Sequence, residues 1–179
     1  LCDSDMISAA GDNSAAVVSA GGAVVEIANS SVVSSGENSP GVMAGDGGKL
    51  IVKSSSVLTG GVESPVISVK GELLAEKCSF SAERSNAITV KSGGKAILRD
   101  CDLSGTRKNF QDVNDTDLYT VSVGGGDEEA SLSLYDCRFE NVKNDLFKMG
   151  NNSVLTLSNI EVGFAGGKVF RFEQNAKAV

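Results

Sequence analysis

The heptapeptide Ile97–Leu103, ILRDCDL, decides the fold, because its shape returns with the same internal phase elsewhere in the chain. LLAEKCSF at 73–80 and LSLYDCRF at 132–139 also alternate apolar and polar residues, slip phase by one place, and resume with a cysteine. The last apolar residue of each such phrase serves as a reference point. These references are Val32, Val57, Phe80, Leu103, Phe139 and Val162, spaced by 25, 23, 23, 36 and 23 residues, and 36 reads as 23 plus a 13-residue insertion. Seven, five and two places before them lie Val25-Ile27-Ser30, Leu50-Val52-Ser55, Leu73-Ala75-Cys78, Ala96-Leu98-Cys101, Leu132-Leu134-Cys137 and Leu155-Leu157-Ile160. Every member is apolar or small. Period-two alternation marks a strand with one buried face, and the one-residue slip marks a corner.

A shorter strand precedes each phrase: AAVVS, PGVMA, PVISV, NAITV, YTVSV, LFKMG and VFRFE. Its inward pairs run from Val17/Ser19 through Ile67/Val69 to Phe170/Phe172. Between the two strands sit glycine-bearing turns, AGGA, GDGGK, VKGE, SGGK and GGGDEE, where glycine supplies the positive φ of a tight corner. Repeats of this length without helical periodicity predict a coil of parallel strands, each turn covering the inner face of the next at ~4.8 Å. The expected fold is all-β, a right-handed parallel β-helix of about six or seven turns, its hand following the usual sense of parallel crossovers. A β-sandwich of antiparallel hairpins would not keep one inward column in register over so many repeats. Residues 1–179 read as a single domain, a segment of a longer chain, interrupted by an inserted loop at 105–117, GTRKNFQDVNDTD.

Ser30, Ser55, Cys78, Cys101, Cys137 and Ile160 then form one inward column, and the three cysteines stack as small buried side chains. Stacked strands hold Cβ atoms ~4.8 Å apart, beyond the ~3.8 Å that a disulfide prefers. The chain has no histidine to complete a zinc site or activate a thiolate. Cys2 stands apart, free or paired outside the segment. A net charge of −7 with no dense basic run excludes nucleic acid as a partner. No apolar run reaches the ~20 residues of a membrane span.

Outward positions are where chemistry could sit. Lys53-Glu76-Arg99 and Asp102-Arg138-Glu161 alternate in sign along the stack, as a solvated face laced with ion pairs would. Asp100 and Asp136 become neighbours once the insertion is looped out, and the two carboxylates call for a partner: Arg99, Arg138, a lysine of the insertion, or a cation. Calcium takes oxygen ligands of this kind, which makes the pair a weak calcium site. The insertion is expected to leave the stack close to these acids. Asp100, Asp136, Tyr135, Tyr119 and the insertion's Arg107, Lys108 and Phe110 are therefore the candidate ligand-binding residues. Ile51, Leu74 and Ile97 form an outward apolar stripe over three turns, suited to cover by the insertion or by a protein partner, and exposed ends of the coil offer a second such surface. The sequons at Asn29, Asn114 and Asn151 matter only in a eukaryotic secretory setting.

The phrases SAAVVSAGG, ENSPGVMAGDGG, ESPVISVKG and SNAITVKSGGKAILRDCDLSG resemble the repeats of secreted bacterial β-helix proteins of the adhesin-like and autotransporter-passenger-like kinds. The resemblance implies a secreted or cell-surface rod with a structural or adhesive role and no one ligand; a polysaccharide or a host or cell-surface glycan is one partner such a rod could take. Pectate lyases and polygalacturonases share the fold, and fold does not decide activity. Such enzymes need convergent carboxylates, one of them kept protonated, or several calcium-binding acids opposite a base. Here most outward acids alternate with bases. The expectation is a non-enzyme without a cofactor, calcium aside. A non-catalytic carbohydrate-binding module comes second, and a polysaccharide lyase or hydrolase third.

Overall fold

A computed structural model describes residues 5–105, 119–142 and 145–179, together with the backbone of Cys2 and Asp3. Every strand pairing is parallel, and the strands stack into three sheets of eight, seven and seven. One turn of the coil shows the plan: Ile67–Val69 in the third sheet, Glu72–Glu76 in the first, Ser79–Ala82 in the second. The next turn repeats it with Ile88–Val90, Lys95–Arg99 and Asp102–Gly105. Registers follow the repeat derived from the sequence, with Leu73 opposite Ala96, Ala75 opposite Leu98 and Phe80 opposite Leu103. The described residues contain no helix.

The phase slip in ILRDCDL is a single left-handed residue. Asn29 (φ 48°), Ser54 (45°), Lys77 (54°), Asp100 (53°), Asp136 (53°) and Asn159 (53°) occupy it on successive turns. One residue at positive φ turns the chain through the corner, so that the next side chain points inward again. Non-glycine residues adopt this conformation at a cost of roughly 1–2 kcal/mol, least for Asn and Asp. A hydrogen-bonded column compensates for it. Ser30 and Ser55 each donate their hydroxyl to the carbonyl two residues earlier, Ala28 and Lys53, at 2.7 Å. Each hydroxyl also accepts a backbone N–H from the preceding turn: Asp5 to Ser30 at 3.4 Å and Ser30 to Ser55 at 3.1 Å.

Inside the coil, the first sheet contributes Leu50/Val52, Leu73/Ala75 and Ala96/Leu98, the second Val57, Phe80 and Leu103, the third Ile67/Val69 and Ile88/Val90, all at most 3% exposed. The turn that carries bulky Phe80 has Ala75 where its neighbours carry Val52 and Leu98, which keeps the volume per turn near that of close packing. Further along, Phe139 and Phe147 meet edge to face at 5.4 Å, and Phe147 stacks on Phe170 at 5.3 Å. Apart from half-buried Val17 on the first turn, the inward pairs expected on the third sheet are buried through Phe147/Met149. Phe170 and Phe172 are the exception, at 38% and 50% exposure, because no described turn lies beyond theirs.

Glycine turns link the third sheet to the first, with one difference from expectation. Gly93 takes the positive φ (79°), whereas Gly71 in VKGE does not. That turn spans only residues 70–71, against 45–48 and 91–94 on its neighbours. The chain there crosses so close to the previous turn that a Cβ on Gly71 would run into the carbonyl oxygens of Gly48 and Gly45. Close approach, rather than dihedral freedom, requires that glycine.

Candidate functional site

Asp100 and Asp136 sit on adjacent turns, as expected, with Arg99 paired to Tyr135 in the strands that lead to them. The left-handed corner explains their residue type, since a short side chain that bonds its own backbone tolerates that geometry. Their partners differ from those expected. Asp136 accepts a hydrogen bond from the Asn159 amide at 2.7 Å. The Arg99 guanidinium instead lies 4.3 Å over the Tyr135 ring. Arg138 pairs with Glu140 at 3.2 Å and Glu161 at 3.8 Å. Both arginines have alternatives nearby, an aromatic face for one and acids along the outer row for the other. Among the described residues no three Cys, Asp or Glu side chains are placed to hold a metal ion. A calcium ion bound at Asp100 and Asp136 would need its other ligands from elsewhere.

The insertion leaves the stack farther from these acids than expected, and residues 106–118 themselves lie outside the described part. Asp100 stands at the corner between the first and second sheets, whereas the insertion departs after Gly105, at the far end of the second-sheet strand, and returns at Tyr119 in the third sheet. Four strand residues, on the order of 13 Å, separate the two places. Arg107, Lys108, Phe110 and the sequon at Asn114 lie outside the described residues, as does the thiol of Cys2. Tyr119 shares a pocket of about 390 Å³ with Asn38, Glu63, Asn86 and Lys91, on the third sheet and its approach. Lys148 Nζ lies 5.1 Å from the centre of its ring. One face of each candidate sugar-stacking ring, Tyr119 and Tyr135, therefore meets a cation.

Ile51, Leu74 and Ile97 are Cα partners across three turns, facing outward as expected. Ile97 is 39% exposed, and Ile51 and Leu74 are half-buried. Charged residues flank the stripe on both sides. Lys53 reaches Glu26 at 3.0 Å and Lys49 reaches Glu72 at 3.7 Å. The partner of Lys53 is thus the acid diagonally beside the stripe, not Glu76 directly along its column. All four side chains are well exposed, and such a pair contributes ~0–1 kcal/mol.

A larger concavity, missed in the sequence, follows the corner between the first and second sheets. It is an open groove of about 870 Å³ that runs from Asp5 and Met6 on the first turn to Asp100 and Asp102 on the fifth. The row of Ser30, Ser55 and Cys78 lines it, flanked by left-handed residues on one side and by Ser31, Ser56 and Ser79 on the other. The signal was present in the 25-residue recurrence of NSS at 29–31 and SSS at 54–56, which alternation alone treats as polar filler.

Beneath the groove's far end the column continues in sulfur. Cys78, Cys101 and Cys137 are buried free thiols, as expected. They donate to Glu76, Arg99 and Tyr135 carbonyls at 3.1, 3.1 and 3.2 Å, the same two-residue step that the serines use. They follow one another on successive turns, one thiol above the next. The neighbouring Cys101 side chain pulls the Cys78 and Cys137 thiols below the usual range, while those two thiol neighbours and burial push Cys101 well above it.

Fold and corner geometry define a parallel β-solenoid with a single-residue left-handed corner. The model of the right-handed β-helix region matches residues 14–172, and the chain belongs to that family. Neither a curated protein nor a solved structure matches it. No described helix is long and apolar enough to cross a membrane.

Proposed function

We propose that this chain is a non-enzymatic β-helical rod, secreted or displayed on a cell surface, that works by adhesion. The observation carrying this reading is that its outward charges serve the stack itself. Lys53, Lys49 and Arg138 close ion pairs between adjacent turns, and the two acids with the strongest claim to chemistry occupy a corner whose backbone favours Asp or Asn. A surface organised in this way offers a long regular face rather than a reaction centre. The test is incubation of the purified chain with immobilised polysaccharides and cell-surface glycans, scoring retention and released product together. Retention without new reducing ends or unsaturated sugars is expected. Product formation above a heat-denatured control would replace this reading with that of a polysaccharide lyase or hydrolase.

A second reading, a non-catalytic carbohydrate-binding module, is favoured by the open polar groove along the corner. Glycan-binding sites of this class often rest on exposed aromatic platforms. The groove instead has serine hydroxyls repeated on successive turns, with the Asn29 amide, the Lys77 ammonium and three carboxylates among them.

A further inference from the structure

We infer that the corner groove binds a linear neutral or amino-substituted glycan, laid parallel to the coil axis; this rests on the adhesive reading and names its ligand and its site. The groove is built in three rows with different hydrogen-bonding states. Its floor is already satisfied: Ser30 and Ser55 donate to Ala28 and Lys53 carbonyls and accept N–H groups from the turn before. The outer wall is not committed in this way. Its contact between Ser56 Oγ and Ser31 Oγ is long, at 3.4 Å, and a ligand hydroxyl could displace it with little loss. Serine hydroxyls both donate and accept, as sugar hydroxyls do, so wall and ligand can exchange bonds in either direction.

Spacing and charge narrow the ligand. The wall repeats at ~4.8 Å along the axis, comparable to the advance of one sugar in an extended chain. A groove that crosses five turns therefore suits an oligomer rather than a single sugar. Its charged groups are Asp5, Asp100 and Asp102 against Lys77, three carboxylates to one ammonium. That balance repels a polyuronate and accepts a neutral chain or one bearing amines. The groove's end is defined as well: Arg99, just before Asp100, stacks on Tyr135 of the next turn, and neither lines it.

The test uses the full chain, isotopically labelled, titrated with hexamers of chitosan, cellulose and polygalacturonate, with amide shifts mapped on the wild type. Saturable shifts centred on Ser31, Ser54, Ser56 and Ser79 are expected with the first two probes and none with the third. Ser56→Arg, a substitution at an exposed position, should weaken binding at least tenfold, whereas Lys148→Ala on the third sheet should leave it unchanged. Three results overturn the assignment: shifts confined to Asn38, Lys91 and Tyr119, polygalacturonate as the tightest probe, or chitosan binding that Ser56→Arg does not weaken. In each of these the adhesive reading survives. Silence with all hexamers, while a surface-glycan panel still retains the chain, overturns the groove alone. Silence in both overturns the two together.

Discussion

Ser30 and Ser55 occupy the same inward corner position as Cys78, Cys101 and Cys137, each following a left-handed residue with φ between 45° and 54°. The backbone geometry is shared, and so is the bond to the carbonyl two residues back. What differs is the atom that completes the corner. In the serine half each hydroxyl bonds only to backbone, at 2.7 Å to its acceptor and 3.1–3.4 Å from its donor. In the cysteine half the bonds to carbonyl lengthen to 3.1–3.2 Å, as the larger sulfur atom requires. One half is thus held by strong local bonds, the other by weaker bonds and more apolar volume. The corner is a backbone device that either atom can complete.

Four substitutions test that difference, read as shifts in the urea midpoint. The largest effect is expected from Cys101→Asp, which places a carboxylate between two thiols with no cation in reach. A buried uncompensated charge costs about 3–5 kcal/mol, and an equally stable protein would mean that the column is hydrated. Ser55→Ala removes the acceptor of the Ser30 N–H and the donor to Lys53, with an expected loss of about 2 kcal/mol. A loss below ~0.5 kcal/mol would show that the serine ladder contributes little. Cys101→Ser preserves the ladder and exchanges sulfur for oxygen, so a change within about 1 kcal/mol is expected; a loss as large as that of Ser55→Ala would make the cysteine half a packing device alone. The smallest effect, a few tenths of a kcal/mol, belongs to Lys53→Met beside the Ile51 stripe, because its pair with Glu26 is solvent-exposed.

The fold could be read in the sequence because inward positions obey two simple periods. Leu73, Ala75 and Cys78 recur 23 residues later as Ala96, Leu98 and Cys101, and only stacking satisfies that. The candidate site was less legible, since outward positions carry no such constraint. The expectation that the insertion leaves close to Asp100 did not count the strand after the corner, which puts Gly105 a strand's length away. Reading Asp100 and Asp136 as chemistry overlooked their column-mates Asn29, Ser54 and Asn159, whose type already signals positive φ. A second serine ladder was overlooked for the same reason. Asn13-Ser14, Asn38-Ser39 and Glu63-Ser64 repeat at 25 residues, each pair starting with a left-handed residue, and the Ser39 and Ser64 hydroxyls accept the N–H groups of Ser14 and Ser39 at 3.1 and 2.9 Å.

The all-parallel stacking also fixes how the molecule bears load. Every interstrand hydrogen bond between turns points along the coil axis, so tension applied along that axis opens them in sequence, as a zipper rather than as a clasp. Each turn of 23 residues pays out about 80 Å of chain as it peels away. The 36-residue turn that carries the insertion releases about 125 Å in the same event. A coil stacked in this way is expected to yield at modest force and lengthen in steps, with one long step marking the insertion's place in the stack.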